Sequence, residues 1–271
     1  MAAVEIPNSS LSFDQQLSVL LEQNACCVSP DGELIIGTQL RDGYQPPTLS
    51  QLDNVRHVAF WLGEQGLGIF QAFCRSPWAK QIAWLRFGSS TDALGGGRNY
   101  AAFVQAMQQR EWPALVGLSL GEVEHFQNTV GEFGQLGELS ALLEQLANLQ
   151  ALAIHGHFEL ARPCHLPQLR ELSVALCDEG GITDVCLSQL TVSNLLSCRL
   201  DSVEHLYIDL AESEIDGGYR IPSQCFSADQ WPSLQELLIN GSFRFSDQAK
   251  LLRSPIAQRP NLNRHLFGHA H

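Results

Sequence analysis

The sequence predicts an α/β solenoid, a curved fold whose concave face is a parallel β-sheet and whose convex face carries helices and loops. Two observations support this fold class. A short apolar template recurs along the 271 residues, and segments with helical spacing separate several of its copies. A repeated unit of strand and helix predicts parallel strands that stack one unit on the next.

The template starts with a large apolar residue and has further apolar residues three, six and eight positions later. WPALVGLSLG from Trp112 and WPSLQELLING from Trp231 are two of six copies, and the others begin at Leu52, Leu146, Leu166 and Leu200. An irregular seventh copy contains Ile82, Leu85 and Phe87, and RPNLNRHLF near the end is a weak eighth. The last two apolar positions of each copy alternate with period two, which predicts a short strand with one buried face.

Helical spacing predicts the elements between the strands. Apolar residues recur at helical intervals within 69–73, 100–107, 139–146 and 185–196. The 20-residue unit from Leu149 to Leu169 is an exception, because it has little room for a helix.

The L-x-x-L-x-L core of the template resembles that of leucine-rich repeats. Over about residues 50–267 the chain resembles a divergent bacterial leucine-rich repeat protein of the helix-containing, ribonuclease-inhibitor-like class. The resemblance implies a solenoid with a concave parallel sheet. The family normally has Asn or Cys three residues after the last strand leucine, and here only Cys177 fits, so we expect irregular curvature and loops.

The first fifty residues lie outside the template array. Residues 11–23 have helical spacing and residues 32–40 have the pattern of a strand, so 1–50 is predicted to be an N-terminal capping region. A small separate binding module is the alternative for this segment. Residues 51–271 are then an array of about seven units with a C-terminal cap.

Composition narrows the possible classes of function. A formal net charge of −13 argues against non-specific binding to nucleic acid, which requires lysine and arginine to displace phosphate counterions. The start MAAVEIPNSS has no secretory-signal pattern, and no apolar run is long enough for a membrane span, so we expect a soluble, cytoplasmic protein. The eight cysteines form no regular framework and are expected to be reduced and mostly buried.

The residues that alternate with the template leucines are expected to line the concave face. This face is aromatic and partly basic at its N-terminal end, nearly devoid of large side chains in the middle, and acidic with one tyrosine at its C-terminal end. The candidate binding residues are His57, Trp61, Trp84, Arg86, His155, Glu171, His205, Tyr207, Asp209 and Glu236. Exposed Trp, Tyr and Arg are typical of binding hot spots, so the face predicts a non-enzymatic protein–protein interaction module with a protein or peptide partner.

Three alternatives remain open. In the first, the concave face binds nothing or is covered by the chain's own loops. In the second, a small-ligand or metal site is formed by the segment HGHFELARPCH, which has metal-capable groups from His155 to His165. The paired spacing of structural zinc is absent from it. In the third, the chain is a regulatory fragment that acts with a domain on another chain.

No catalytic residue, metal site or cofactor is predicted, since no nucleophile elbow or phosphate-binding loop is present. Trp112 and Trp231, at the first template position, are expected to be buried.

Overall fold

Short parallel strands alternate with helices along most of the chain, which makes this a mixed α/β protein. The structure is a computed structural model that describes residues 6–37, 46–47, 49–89, 99–123, 134–176, 186–210 and 217–266. The chain divides into two units, Met1–Gln135 and Leu136–His271. No helix of the described residues is both long enough and apolar enough to cross a membrane.

The described residues of the first unit form five strands and four α-helices. Its strands are β1 (Cys26–Val28), β2 (Glu33–Ile36), β3 (His57–Phe60), β4 (Trp84–Ser89) and β5 (Gly117–Val123). They lie side by side in chain order; β1 and β2 are antiparallel and the later pairs are parallel. The helices are α1 (Phe13–Glu22), α2 (Leu49–Leu52), α3 (Leu67–Arg75) and α4 (Ala101–Gln108), with 3-10 turns at Gly63–Gly66 and Pro77–Lys80.

Aromatic rings form much of the core of the first unit. Phe70 of α3 lies 5.1 Å from Phe60, 5.4 Å from Phe87 and 4.8 Å from Phe103, measured between ring centroids. Phe60 and Phe87 are inward-facing template positions of β3 and β4, so the template residues hold α3 and α4 against the sheet. Ring pairs at these separations add to the stabilisation from burial.

In the part of the second unit that the structure describes there are a parallel sheet, a small two-stranded sheet and three α-helices. The parallel sheet has the order β7 (Ala151–His155), β9 (Glu171–Ala175), β10 (His205–Asp209), β11 (Glu236–Asn240) and β12 (Asn263–Leu266). The small sheet pairs β6 (Gln135–Glu138) with β8 (His157–Glu159). The helices are α5 (Ser140–Gln145), α6 (Gln189–Leu196) and α7 (Phe245–Arg253), and a 3-10 turn spans Ser223–Phe226.

The register of the second sheet aligns equivalent template positions. Leu206 pairs with Leu172 on one side and with Leu237 on the other, and Ile208 likewise lies between Val174 and Ile239. All of these residues are at most 2 % exposed. Equivalent positions of successive template copies therefore form continuous apolar rows, because each strand enters the sheet in the same register.

Many of the elements predicted from the sequence are confirmed. The strands expected at 118–120, 152–154, 172–174, 206–208 and 237–239 are present, as are helices within the five segments with helical spacing. Residues 149–169 contain β7 and β8 and no helix, as their short spacing predicts. Trp112 and Trp231 are buried. Strand β2, in the predicted capping region, pairs parallel with β3. Cys177 lies outside the described residues.

Candidate interaction surface

Each parallel sheet has a second face, formed by the residues that alternate with the buried template residues. We call this the opposite face. In the first unit it includes His57 and Ala59 of β3 and Trp84 and Arg86 of β4, which are directly paired across the two strands. Alternation along the strand places these four side chains on one side.

Trp61 lies on this face but is not exposed, so the sequence prediction of an accessible binding residue there is wrong. Its side chain is 2 % exposed and packs in a buried cluster with Cys27, Ile35 and Ala59. The guanidinium of Arg86 lies 5.2 Å above the indole ring. Trp61 is buried because β1 and β2 extend the sheet beside β3 and contribute apolar side chains to the same face.

Arg86 is also engaged within the fold. Its Nη1 lies 3.1 Å from Oε2 of Glu33, and the side chain of Glu33 is only 15 % exposed. A partly buried ion pair that also covers an indole ring fixes the guanidinium in place. Arg86 is therefore a structural element of the opposite face as well as a candidate contact.

Trp84 is a large apolar side chain that remains exposed on this face of the first unit. It is 38 % exposed, and its ring lies 6.1 Å from that of His57. Strand pairing places Trp84 beside Gly117 of β5, and the indole covers this glycine. A Cβ atom at position 117 would lie 2.3 Å from the indole ring, so the absence of a side chain there is what allows the ring to lie against the sheet.

The second unit has a polar network centred on Glu236 of β11. Tyr207 Oη donates a hydrogen bond of 2.6 Å to Glu236 Oε2, and Asn263 Nδ2 donates one of 3.0 Å to Oε1. Nδ1 of His205 is 3.4 Å from Oε2, and the planes of the His205 and Tyr207 rings are nearly parallel, 14° apart. The two strands that flank β11, namely β10 and β12, thus provide the partners of one carboxylate.

This network changes the ionisation of its members. The hydrogen bond to Glu236, together with partial burial and the charges of Glu236 and Glu171, raises the pKa of Tyr207 to about 12. The same hydrogen bond lowers the pKa of Glu236, with further help from His205 and His265. At neutral pH the network therefore contains a neutral phenol and an ionised carboxylate.

The remaining candidates lie on neighbouring strands. Asp209 Oδ1 accepts a hydrogen bond of 3.0 Å from Asn240 Nδ2. Glu171 is exposed on β9, and His155 is half-buried at the end of β7. Glu171, His205 and Glu236 are paired in one row across β9, β10 and β11. The structure therefore brings the predicted C-terminal set together on one sheet.

The alternative site within residues 155–165 is not supported by the geometry. His155 and His157 lie on different strands, β7 and β8, separated by Gly156. Cys164 is buried, and Nε2 of His165 lies 3.1 Å from Asp201 Oδ2. Over the described ranges, nowhere do three His, Cys, Asp or Glu side chains come together in a way that would hold a metal ion.

Sequence reasoning missed several residues of the opposite face, among them three polar ones. Glu33 lies in the segment treated as a cap, and Asn263 and His265 lie in the weak eighth template copy. Period-two alternation is present in both segments, in GELIIG and in NLNRHL. Alternation within one strand does not show which strand lies beside it, so it does not identify the side chains that these residues contact.

These observations define a mixed α/β protein with open, largely parallel sheets. Its structure is similar to the crystal structure of a Bacteroides fragilis protein solved as a Northeast Structural Genomics Consortium target. The TM-score is 0.52 at 18 % sequence identity, and the match covers 82 % of this chain and 62 % of the other. A likeness at this identity concerns the fold alone. No protein-family model matches the sequence, and no curated protein matches it.

Proposed function

We propose that the chain is a leucine-rich-repeat solenoid and that it is a non-enzymatic module binding a protein or peptide partner. Support for the repeat comes from the aligned apolar rows, in which Leu172, Leu206 and Leu237 are direct neighbours. Stacked units that share one register are typical of solenoids.

The observation that carries the binding proposal is the position of Trp84. A partly exposed indole that lies against a glycine, on a strand of a parallel sheet, has little freedom to lose when a partner contacts it. Rigid aromatic side chains give a large contact area at low entropic cost and are frequent in hot spots. An aromatic or aliphatic side chain of the partner, or a cationic one, is the expected contact of its free face.

The second unit offers a different chemistry. Its opposite face contains the carboxylates of Glu171, Asp209 and Glu236 and the ring of Tyr207, all partly or fully accessible. A neutral phenol that donates to an ionised carboxylate is poorly suited to proton transfer at neutral pH, and it is well suited to binding lysine, arginine or amide donors. This favours binding over catalysis on this face.

The test is affinity capture from cells of the source organism with the full-length chain, followed by quantitative mass spectrometry. Trp84→Ala and Tyr207→Ala are compared separately with the unaltered protein, because each probes the face of its own unit. For a partner that contacts the face, each substitution should weaken binding about tenfold, the scale of a hot-spot residue.

Two further variants make the test specific. Gly117→Ala leaves Trp84 in the chain but displaces the indole, so it should weaken binding in parallel with Trp84→Ala. Leu190→Ala removes another exposed apolar side chain, on α6, and should have no effect. Partners that bind Trp84→Ala and Tyr207→Ala as well as the unaltered chain, with unchanged circular dichroism, would rule out the opposite face as the binding surface.

A further inference from the structure

Helix α7 has exposed apolar side chains on the side opposite its buried residues. At 100° per residue Phe245, Ala249 and Leu252 fall on one side of the helix, while the buried Asp247 and Leu251 fall on the other. Phe245 is 84 % exposed and Leu252 46 % exposed. The stripe extends over about 10 Å of helix. None of these residues belongs to the opposite face described above.

An open pocket of about 430 Å³ adjoins this stripe. Phe226 and Pro255 contribute apolar side chains to its lining, and Ala249 is common to the pocket and the stripe. The other lining residues are Ser246, Lys250, Arg253 and Ser254. Its volume is within the range of roughly 300–1,000 Å³ typical of ligand sites. Apolar walls beside a continuous apolar stripe suit an extended chain segment better than an isolated small molecule.

The segment that contributes most of the pocket lining differs in charge from the rest of the chain. Residues 244–271 contain five Lys or Arg residues and one Asp, about +4, in a chain whose net charge is −13. Lys250 lies 3.2 Å from Asp247, whereas Arg253 has no ion-pair partner within the described part of the chain. A basic edge on an otherwise acidic protein attracts an acidic partner.

Helix capping does not account for the whole arrangement. Lys250 and Arg253 are in the last turn of α7, where basic residues stabilise the carbonyl end of a helix. That effect explains neither an almost fully exposed phenylalanine at the first helical position nor a pocket beside it. The combination of the stripe, the pocket and the charge calls for an additional role.

We propose that this surface, formed by Phe226, Phe245, Ala249, Lys250, Leu252 and Arg253, is a docking site for an acidic peptide segment of another protein. One large apolar side chain of the segment enters the pocket between Phe226 and Pro255. Neighbouring carboxylates of the segment lie beside Arg253 and Lys250, and a second apolar side chain packs on Phe245 and Leu252. The surface is separate from the opposite face, so it gives the chain a second kind of partner.

The experiment is a selection of a phage-displayed library of random dodecapeptides on the immobilised full-length chain. Enriched peptides are then synthesised with a fluorescent label, and their binding is measured by fluorescence anisotropy. The expected peptides combine Asp or Glu with at least one large apolar residue. Phe245→Ser and Arg253→Glu should each weaken their binding about tenfold or more.

Matched variants separate this surface from general effects. Leu190→Ser removes an exposed apolar side chain on α6, and Arg264→Glu reverses an exposed charge on β12; both should leave the affinity unchanged. Phe245→Ser is not expected to affect folding, because the ring is 84 % exposed, and circular dichroism verifies this.

Three outcomes would overturn the proposal. The first is enrichment of peptides without an acidic excess, or of peptides that bind Phe245→Ser and Arg253→Glu normally. The second is Phe245-dependent sedimentation with vesicles of phosphatidylserine and phosphatidylcholine when no peptide is enriched, which would indicate a lipid surface. The third is a dimer in analytical ultracentrifugation that Phe245→Ser dissociates, which would place a second copy of the chain there.

Discussion

Trp84 lies on β4 and Trp61 directly follows the adjacent strand β3, yet the two tryptophans have opposite accessibility. The apolar residues Cys27, Ile35 and Ala59 surround Trp61, whereas Trp84 lies over Gly117 and remains 38 % exposed. The difference arises from the residues at paired positions on neighbouring strands. An indole in contact with apolar side chains is buried, and one that lies over a glycine keeps its outer face free.

At the same scale, the hydrogen bond between Tyr207 and Glu236 predicts a pH-dependent stability. The pKa of Tyr207 is raised in the folded state from 10.0 to about 12, so the folded chain keeps this proton after the unfolded chain has released it. The contribution is therefore fully present below pH 10 and is lost as the pH rises towards 12. Chemical denaturation over this range should show a steeper loss of stability for the unaltered protein than for Tyr207→Phe.

Glu236→Gln is the control for that prediction. It keeps an oxygen acceptor and removes the charge, so the pKa of Tyr207 should move back towards its ordinary value and the alkaline slope should become shallower. Equal slopes for the unaltered chain and Tyr207→Phe would show that the hydrogen bond does not shift the ionisation of this phenol.

At the scale of elements, the turn after β11 depends on Gly241. Its φ is +125°, and a Cβ atom there would lie 2.7 Å from the carbonyl oxygen of Leu210. Leu210 follows β10, so this close contact joins the ends of two neighbouring strands, and the Leu210 amide also donates to the carbonyl of Asn240. A side chain at 241 would push these strand ends apart.

Gly241→Ala should accordingly lower the free energy of unfolding by about 1–3 kcal/mol, the usual range for a strained backbone, with an added cost from the contact. The matched control is Gly32→Ala in the turn between β1 and β2. The φ of Gly32 is +82°, and a Cβ atom added there would meet no atom within 4 Å beyond its chain neighbours. Urea denaturation of both variants measures the difference. A smaller loss for Gly241→Ala than for Gly32→Ala would contradict the role of the contact.

The sequence did not predict helix α7, which has nine residues, nor the short strands β1, β6 and β8. Strands β1 and β8 have three residues each, and β6 has four. Segments of this length contain too few alternations for a period to be recognised. The longer template strands and the helices α3, α4 and α6 were predictable because the same pattern recurs, and each copy reinforces the interpretation of the others.

At the scale of the whole molecule, cysteine burial makes a simple prediction. Six of the eight cysteines are buried, namely Cys26, Cys27, Cys74, Cys164, Cys198 and Cys225. Burial raises the pKa of Cys74 and of Cys225 to about 12 and also raises that of Cys26, so these thiols remain protonated at neutral pH. The thiolate is the reactive form of cysteine. Burial therefore protects these thiols both by blocking access of a reagent and by keeping them protonated.

In the reduced native protein, a thiol-specific chromogenic reagent should therefore react with at most two cysteines, the eight in the chain less the six that are buried. The same protein in guanidinium chloride should react at all eight. Rapid reaction of more than two thiols without denaturant would show that the buried positions open readily, contrary to a well-packed core.

The sequence by itself determined which residues form the template strands and which of them face the core. Period-two alternation is local and the template repeats it, so Leu172, Leu206 and Leu237 are predictable core residues without any knowledge of their neighbours. The tertiary structure alone decided which residues of the other face remain accessible. Arg86 pairs with Glu33, 53 residues away, and Glu236 accepts hydrogen bonds from two neighbouring strands. Such contacts depend on which strands are adjacent and in which register, and the alternation within one strand contains no information about either.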